Sequence, residues 1–143
     1  MNRRLIIQSA AASALAGFVA VAAAQPAGAK RHKIVLQVSD ADPGKWNLAL
    51  NNAKNVQDDV GAANVDVEIV AFGPGIGMLK ADSTVANRVA DATHAGVKVV
   101  ACENTMRGQK LTKADMNTAV GYVPAGISEL MKKQAEGWSY VRP

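Results

Sequence analysis

One cysteine, Cys102, is all that 143 residues provide. No disulfide can therefore form within the chain, and no pair of thiols can bind zinc or run a dithiol exchange. Histidine is scarce too. His32 and His94 are scattered in the sequence relative to Cys102, so spacing assembles no metal site. The aromatic complement is two Trp, two Tyr and two Phe. None is interleaved with the short basic cluster Lys30, Arg31, His32 and Lys33, so a nucleic-acid surface is not indicated. A Gly-x-Gly-x-x-Gly or Gly-Lys-Ser/Thr phosphate loop is missing, as is a nucleophile elbow. These absences leave no call for a metal or a cofactor, and they leave one reactive side chain to explain.

Apolar runs of membrane length are also missing, apart from the first residues. "MNRRLIIQSAAASALAGFVAVAAAQPAGA" starts with Arg3 and Arg4, continues through an Ala-rich apolar stretch and ends in small residues. That layout predicts a cleavable signal peptide over residues 1–24, with a second possible cut after Ala29. Gln8, Ser9 and Ser13 make the stretch too weakly apolar for a membrane anchor. Arg3-Arg4 followed by Leu5-Ile6-Ile7 suits the twin-arginine route as well as the ordinary secretory one. The expected address is the periplasm, with no membrane contact after cleavage. Residues 1–24 carry two arginines and no acid, so their removal lowers the net charge from +4 to +2. A basic tail over 25–32 and a single domain over 33–143 remain, long enough for one hydrophobic core.

Within that domain, "KIVLQV" (33–38) is a short apolar run of the kind that forms a strand covered on both faces. Trp46, Ala49, Leu50, Ala53, Val56 and Val60 share one helical stripe, which Gly61 ends. "VDVEIVAF" (65–72) predicts a second strand, and Ser83 predicts the N-cap of a helix running to about Ala95. "VKVVAC" (97–102) predicts the third strand. A helical turn, a second turn capped by Thr112, a short strand (120–124), a helix ending at Gly137 and a final strand (138–141) follow. Strands alternating with helices predict an α/β fold: three layers, α/β/α, with a mostly parallel sheet of about five strands and flavodoxin-like topology.

In such a sheet, ligands and reactive groups gather outside the carboxyl ends of the strands. Cys102, last in its strand, should sit at that rim. A helical turn starting at Glu103 or Asn104 would direct free N–H groups at the thiol and favour the thiolate. Arg107 would add positive charge and Glu103 would oppose it. Four residues separate Cys102 from Arg107, which excludes the five-residue spacing of tyrosine phosphatase loops and matches that of rhodanese loops. The bland alternative is a buried, inert thiol. Gly73, Gly75 and Gly77, after the second strand, read first as a turn needing unusual backbone angles, and second as a small-anion nest. Asn47 and Asn51 lie on one helical face, either solvated or edging the same ligand site. Asp40 and Asp42 read as a solvated loop.

The segments "KIVLQVSDADPGKWNLALNNAKNV", "VDVEIVAFGPGIGML", "VVACENTM" and "VPAGISELMKKQAEGWSYVRP" together resemble the DsrE/DsrF-like family, including its YchN-type members. The resemblance runs from about Lys33 to Pro143. It implies a three-layer α/β/α fold, homo-oligomers (trimers or hexamers), and a cysteine that takes sulfur as a persulfide and passes it to a thiol acceptor protein. Only Cys102 corresponds to that cysteine, with Asn104 and Thr105 in the loop around it. The resemblance implies cytoplasmic sulfur-relay members, whereas this chain is expected to be exported. Three functions therefore compete: an exported persulfide carrier or sulfurtransferase-like relay protein, a non-catalytic oligomeric module for a small ligand or anion, and an assembly protein.

Overall fold

A computed structural model describes residues 32–143. The signal peptide expected over residues 1–24, its expected cleavage sites and all of the expected basic tail except His32 lie outside the described residues. Five strands form one sheet: β1 (His32–Val38), β2 (Val65–Ala71), β3 (Lys98–Cys102), β4 (Gly121–Val123) and β5 (Ser139–Val141). Every pairing is parallel and the order is β4-β3-β2-β1-β5. The α/β class is as expected. The strand order is this chain's own and departs from the 2-1-3-4-5 order of flavodoxin.

The connections carry the helices. Helix α1 (Pro43–Val60) begins three residues before the apolar stripe does. Asp42 accepts a hydrogen bond from the Gly44 N–H at 2.8 Å and Pro43 takes the first helical position, an N-terminal signature that the stripe alone does not show. The segment Gly73–Leu79 is 3-10 helical, and α2 (Ala86–His94) follows. Ser83 does not cap α2 directly. Its hydroxyl accepts from the Val85 N–H at 3.3 Å and its carbonyl from the Ala86 N–H at 3.0 Å, closing a turn that leads into the helix. Helix α3 (Glu103–Gly108) starts directly after β3, and α4 (Gly126–Ala135) joins β4 to β5. Between them the Thr112 and Asp115 side chains cap a short 3-10 turn reciprocally, as the sequence indicates.

Strand periodicity sends alternate residues to opposite faces of the sheet. One face carries Leu36, Val38, Val67, Ile69, Ala71, Val99 and Ala101, packed in one cluster with Trp46, Ala49, Leu50 and Ala53 of α1 and with Ile76, Met78 and Leu79. The other carries Val35, Val70, Val100 and Val123, covered by Leu130 of α4, Phe72 and Trp138. At about 1.5–3 kcal/mol per fully buried large apolar side chain, the first face supplies most of the stabilisation. Among the described residues no helix is long and apolar enough to cross a membrane.

Candidate functional site

Cys102 is the last residue of β3 and the N-cap of α3. Its extended backbone, φ −75° and ψ 113°, turns the side chain back over the first turn, so the thiol occupies the place usually taken by a serine or aspartate oxygen. Sγ accepts from the Thr105 N–H at 3.5 Å. The residue is 5% exposed, at the surface of the core rather than sealed inside it. Burial pushes the thiol up. Hydrogen bonds from the Thr105 hydroxyl and from the N–H groups of Thr105, Gly126 and Asn104 outweigh it and hold the thiol below its ordinary value.

Each donor is itself fixed. The Thr105 hydroxyl oxygen accepts from the Gly73 N–H at 2.9 Å, and Gln109 Nε2 donates to the Gly73 carbonyl at 3.2 Å. These two bonds tie the loop after β2 to α3. Gly73 has φ +54°, a left-handed conformation that favours glycine. The Asn104 N–H also donates to Pro124 O at 3.2 Å, which ties α3 to the approach of α4. Gly126 sits so close to Phe72 that a Cβ there would lie 2.8 Å from its ring. A side chain at 126 would push the α4 N-terminus, and the N–H it offers Cys102, away from the sheet.

The remaining sequence candidates divide between this loop and other places. Glu103 is half-buried in the first turn of α3. Arg107 is exposed and donates to Asn104 Oδ1 rather than turning to the thiol. Gly75 lies against the end of β1, where an added Cβ would come within 2.3 Å of Val38 O, and Gly77 lies under the Trp46 ring. Both are close-approach glycines. Asn47 and Asn51 accept from the two terminal nitrogens of Arg88, Asn51 at 2.7 Å, which locks α2 onto α1. Asp40 pairs with Lys45 at 3.1 Å and with Arg142 at 3.3 Å. Among the described residues no three His, Cys, Asp or Glu side chains gather around a possible metal position.

Two groups escaped the sequence reading. Gly126, at the head of α4, and Phe72, against which it packs, come from segments remote in sequence from Cys102. Glu68, in the middle of β2, is fully buried on the α4 face. Its Oε2 lies 3.2 Å from Lys133 Nζ and 3.4 Å from Lys98 Nζ, and neither oxygen has a hydrogen bond of good geometry. The one signal available was an acid inside "VDVEIVAF" on the same strand parity as Val70 and Phe72. A groove of about 590 Å³ opens between α1 and α2, floored by Leu50, Ala53, Ala92 and Val97; no residue of the Cys102 loop lines it.

Comparison with known proteins follows the same outline. The DsrE/DsrF-like family matches residues 6–143. A protein of unknown function from Methanobacterium thermoautotrophicum is similar in structure with a TM-score of 0.75 and 30% identity, covering 78% of this chain and 99% of that one. The ychN protein from E. coli gives a TM-score of 0.64 at 16% identity, covering 78% and 99%. A conserved protein of unknown function from Bacteroides thetaiotaomicron gives 0.60 at 14%, covering 78% and 94%. The latter two share the fold. No curated protein matches the chain.

Proposed function

We propose, from the premise that the chain belongs to the DsrE/DsrF-like family, that it is an exported sulfur carrier holding sulfane sulfur on Cys102 as a persulfide. The observation that carries this reading is the thiol at the head of α3, where Sγ accepts from the Thr105 N–H at 3.5 Å, among donors that hold the thiol below its ordinary value. Such donors favour the thiolate, the form that reacts. The Cys102 thiolate attacks the outer sulfur of a donor persulfide, R–S–SH. A new S–S bond forms to Cys102, the donor's S–S bond breaks, and R–S⁻ leaves with its electron pair. An acceptor thiolate then attacks the outer sulfur of the Cys102 persulfide and regenerates the Cys102 thiolate. Sulfur moves at constant total oxidation state, so neither step needs a cofactor.

In this reading the leader directs the chain to the periplasm, where an acceptor protein supplies the second thiol. The active form is a homo-oligomer, trimer or hexamer. Ile127 and Met131, each 63% exposed, and Tyr140, 42% exposed, support a subunit contact on the α4 side. The ligand-binding alternative loses ground because Asn47 and Asn51 are engaged with Arg88, and Gly75 and Gly77 are pressed against other parts of the chain.

The test is the intact mass of the mature protein before and after polysulfide, with and without reductant. Mass added in whole sulfur steps, removed by reductant and missing in Cys102→Ser, is expected. An unmodified wild type, or equal loading of Cys102→Ser, would sink the carrier reading. Light scattering checks the oligomer, and a monomer would remove that part of it.

A further inference from the structure

A helix lies along β2 and is held to it at two points. Glu68 and Val70 of β2 and the extended Phe72 just after it alternate and so face α4 together. Gly126, at the head of α4, is in contact with the Phe72 ring. Leu130 lies in the same cluster as Val70. Lys133, near the tail, reaches Glu68 Oε2 at 3.2 Å. The lengths agree: seven helical residues span about 10 Å and four strand residues about 13 Å. Helix and strand therefore run antiparallel, with an apolar seat at the Cys102 end and a charged one at the other.

The charged seat is unusual. Glu68 is 0% exposed, and the charged groups facing it are Lys133 and Glu129 from α4 and Lys98 from β3. Glu129 lies 3.7 Å from Lys133, and the Lys133 ammonium stands 4.3 Å over the Trp138 ring, whose buried Nε1 has no partner. Lys133 is thus fixed on three sides: a carboxylate below, a second one a helical turn back, an aromatic face beside it. An apolar residue at 68 would bury as readily, so a charge in the centre of the sheet calls for a purpose other than stability.

We infer that the Glu68–Lys133 pair is a positioning device: it fixes the register of α4 along β2 so that Gly126, three residues past the Val123 that pairs with Cys102, stays at the Cys102 rim. The inference rests on the proposal that this thiol is an activated one. Glu68 never touches the sulfur. It acts through the helix, with Lys133 as the link and Gly126 as the point of delivery. Sliding α4 by a fraction of a turn would carry Gly126 away from that rim and leave the thiol with the donors of α3 alone.

The experiment is the pH profile of Cys102 alkylation by iodoacetamide in the full mature chain. It compares wild type with Glu68→Gln, Lys133→Met, their double variant and Lys133→Arg, each checked for folding by thermal melting. The alkylation midpoint should rise in both single neutral variants, and the rate at neutral pH should fall about three- to tenfold. The double variant should match the singles, because they break one link. Lys133→Arg keeps the charge and should return the wild-type midpoint. Folded Glu68→Gln or Lys133→Met with an unmoved midpoint overturns the inference, and so does a midpoint that Lys133→Arg fails to restore. If Glu68→Gln does not fold, the Lys133 variants decide alone. A wild-type midpoint at the ordinary thiol value of about 8.5 would instead remove the activated thiol. Absent sulfur loading with the midpoint shifts intact would remove the carrier function and leave the positioning device standing.

Discussion

On one face of the sheet, α1, α2 and the 3-10 segment after β2 close over Leu36, Ile69, Val99 and their neighbours with no buried charge among the described residues. On the other, α4 covers a much smaller apolar cluster and a fully buried acid. The parity of β3 places Cys102 with Val100, on this second face. The same strands thus serve two ends. The closed face supplies stability through apolar contact, and the thin face holds the Glu68–Lys133 pair and the Cys102 thiol. A fold arranged this way can change its chemistry without disturbing the cluster that keeps it folded.

The largest test of that division is Ile69→Ala, on the closed face. Loss of a fully buried side chain should cost about 2–5 kcal/mol in urea unfolding, while the alkylation midpoint of Cys102 stays where it was. A shifted midpoint would show that the faces are not independent.

Next in size is the charged seat. Lys133→Leu strands Glu68 with only Lys98, 3.4 Å away, and should cost toward the lower end of the roughly 3–5 kcal/mol seen when one partner of a buried pair is removed. Adding Glu68→Leu should return stability to the wild-type level or raise it by about 1–4 kcal/mol, with the thiol still deactivated. Restoration of both properties together would contradict a positioning role.

Acidity gives a smaller effect of defined sign. Burial raises Glu68, against the lowering influence of Lys133 and Lys98, and Lys133 is itself raised by Glu68 and Glu129 despite its burial. The folded state holds the Glu68 proton more tightly than the unfolded one. This contribution to stability is full below the ordinary glutamate value of about 4.3 and is lost as the pH rises through the raised one. Subtracting the unfolding profile of Glu68→Gln from that of wild type should reveal a decline over that window. A difference that grows with pH would mean the ion pair outweighs desolvation.

The smallest stability change belongs to the outer side of α4. Ile127→Ser with Met131→Ser should move the unfolding free energy by no more than about 0.5 kcal/mol per site, yet weaken the homo-oligomer in light scattering. An unchanged oligomer would assign its contact to another surface.

How much of this could be read in the sequence follows from the range of each interaction. Strands and helices came from local periodicity; every strand differs by a residue at one end or both, and the helix starts differ where a cap intervened, as at Asp42-Pro43 and Ser83. Cys102 was legible because a strand end and a helix start are adjacent in sequence. The donors from Gly126, the seat at Phe72 and the bond from Gly73 to Thr105 join segments that only the parallel sheet brings together. The pairing of Asn47 and Asn51 with Arg88 required knowing which helix lies beside α1, and a regular asparagine spacing does not say so. Glu68 was visible as a letter, but its meaning depends on Lys133, which lies on the far side of β3, α3 and β4.

The solitary thiol cap has a further consequence, in oxidative damage. In the proposed carrier, a thiolate that accepts sulfur would be equally open to peroxide, which converts it to a sulfenic acid. Proteins that survive this step usually carry a resolving cysteine that traps the sulfenic acid as a disulfide. This chain has one cysteine, so the route back runs through a thiol from another molecule. Where that thiol is scarce, the next oxidation gives a sulfinate, a permanent anion that the N–H groups meeting Cys102 would hold in place.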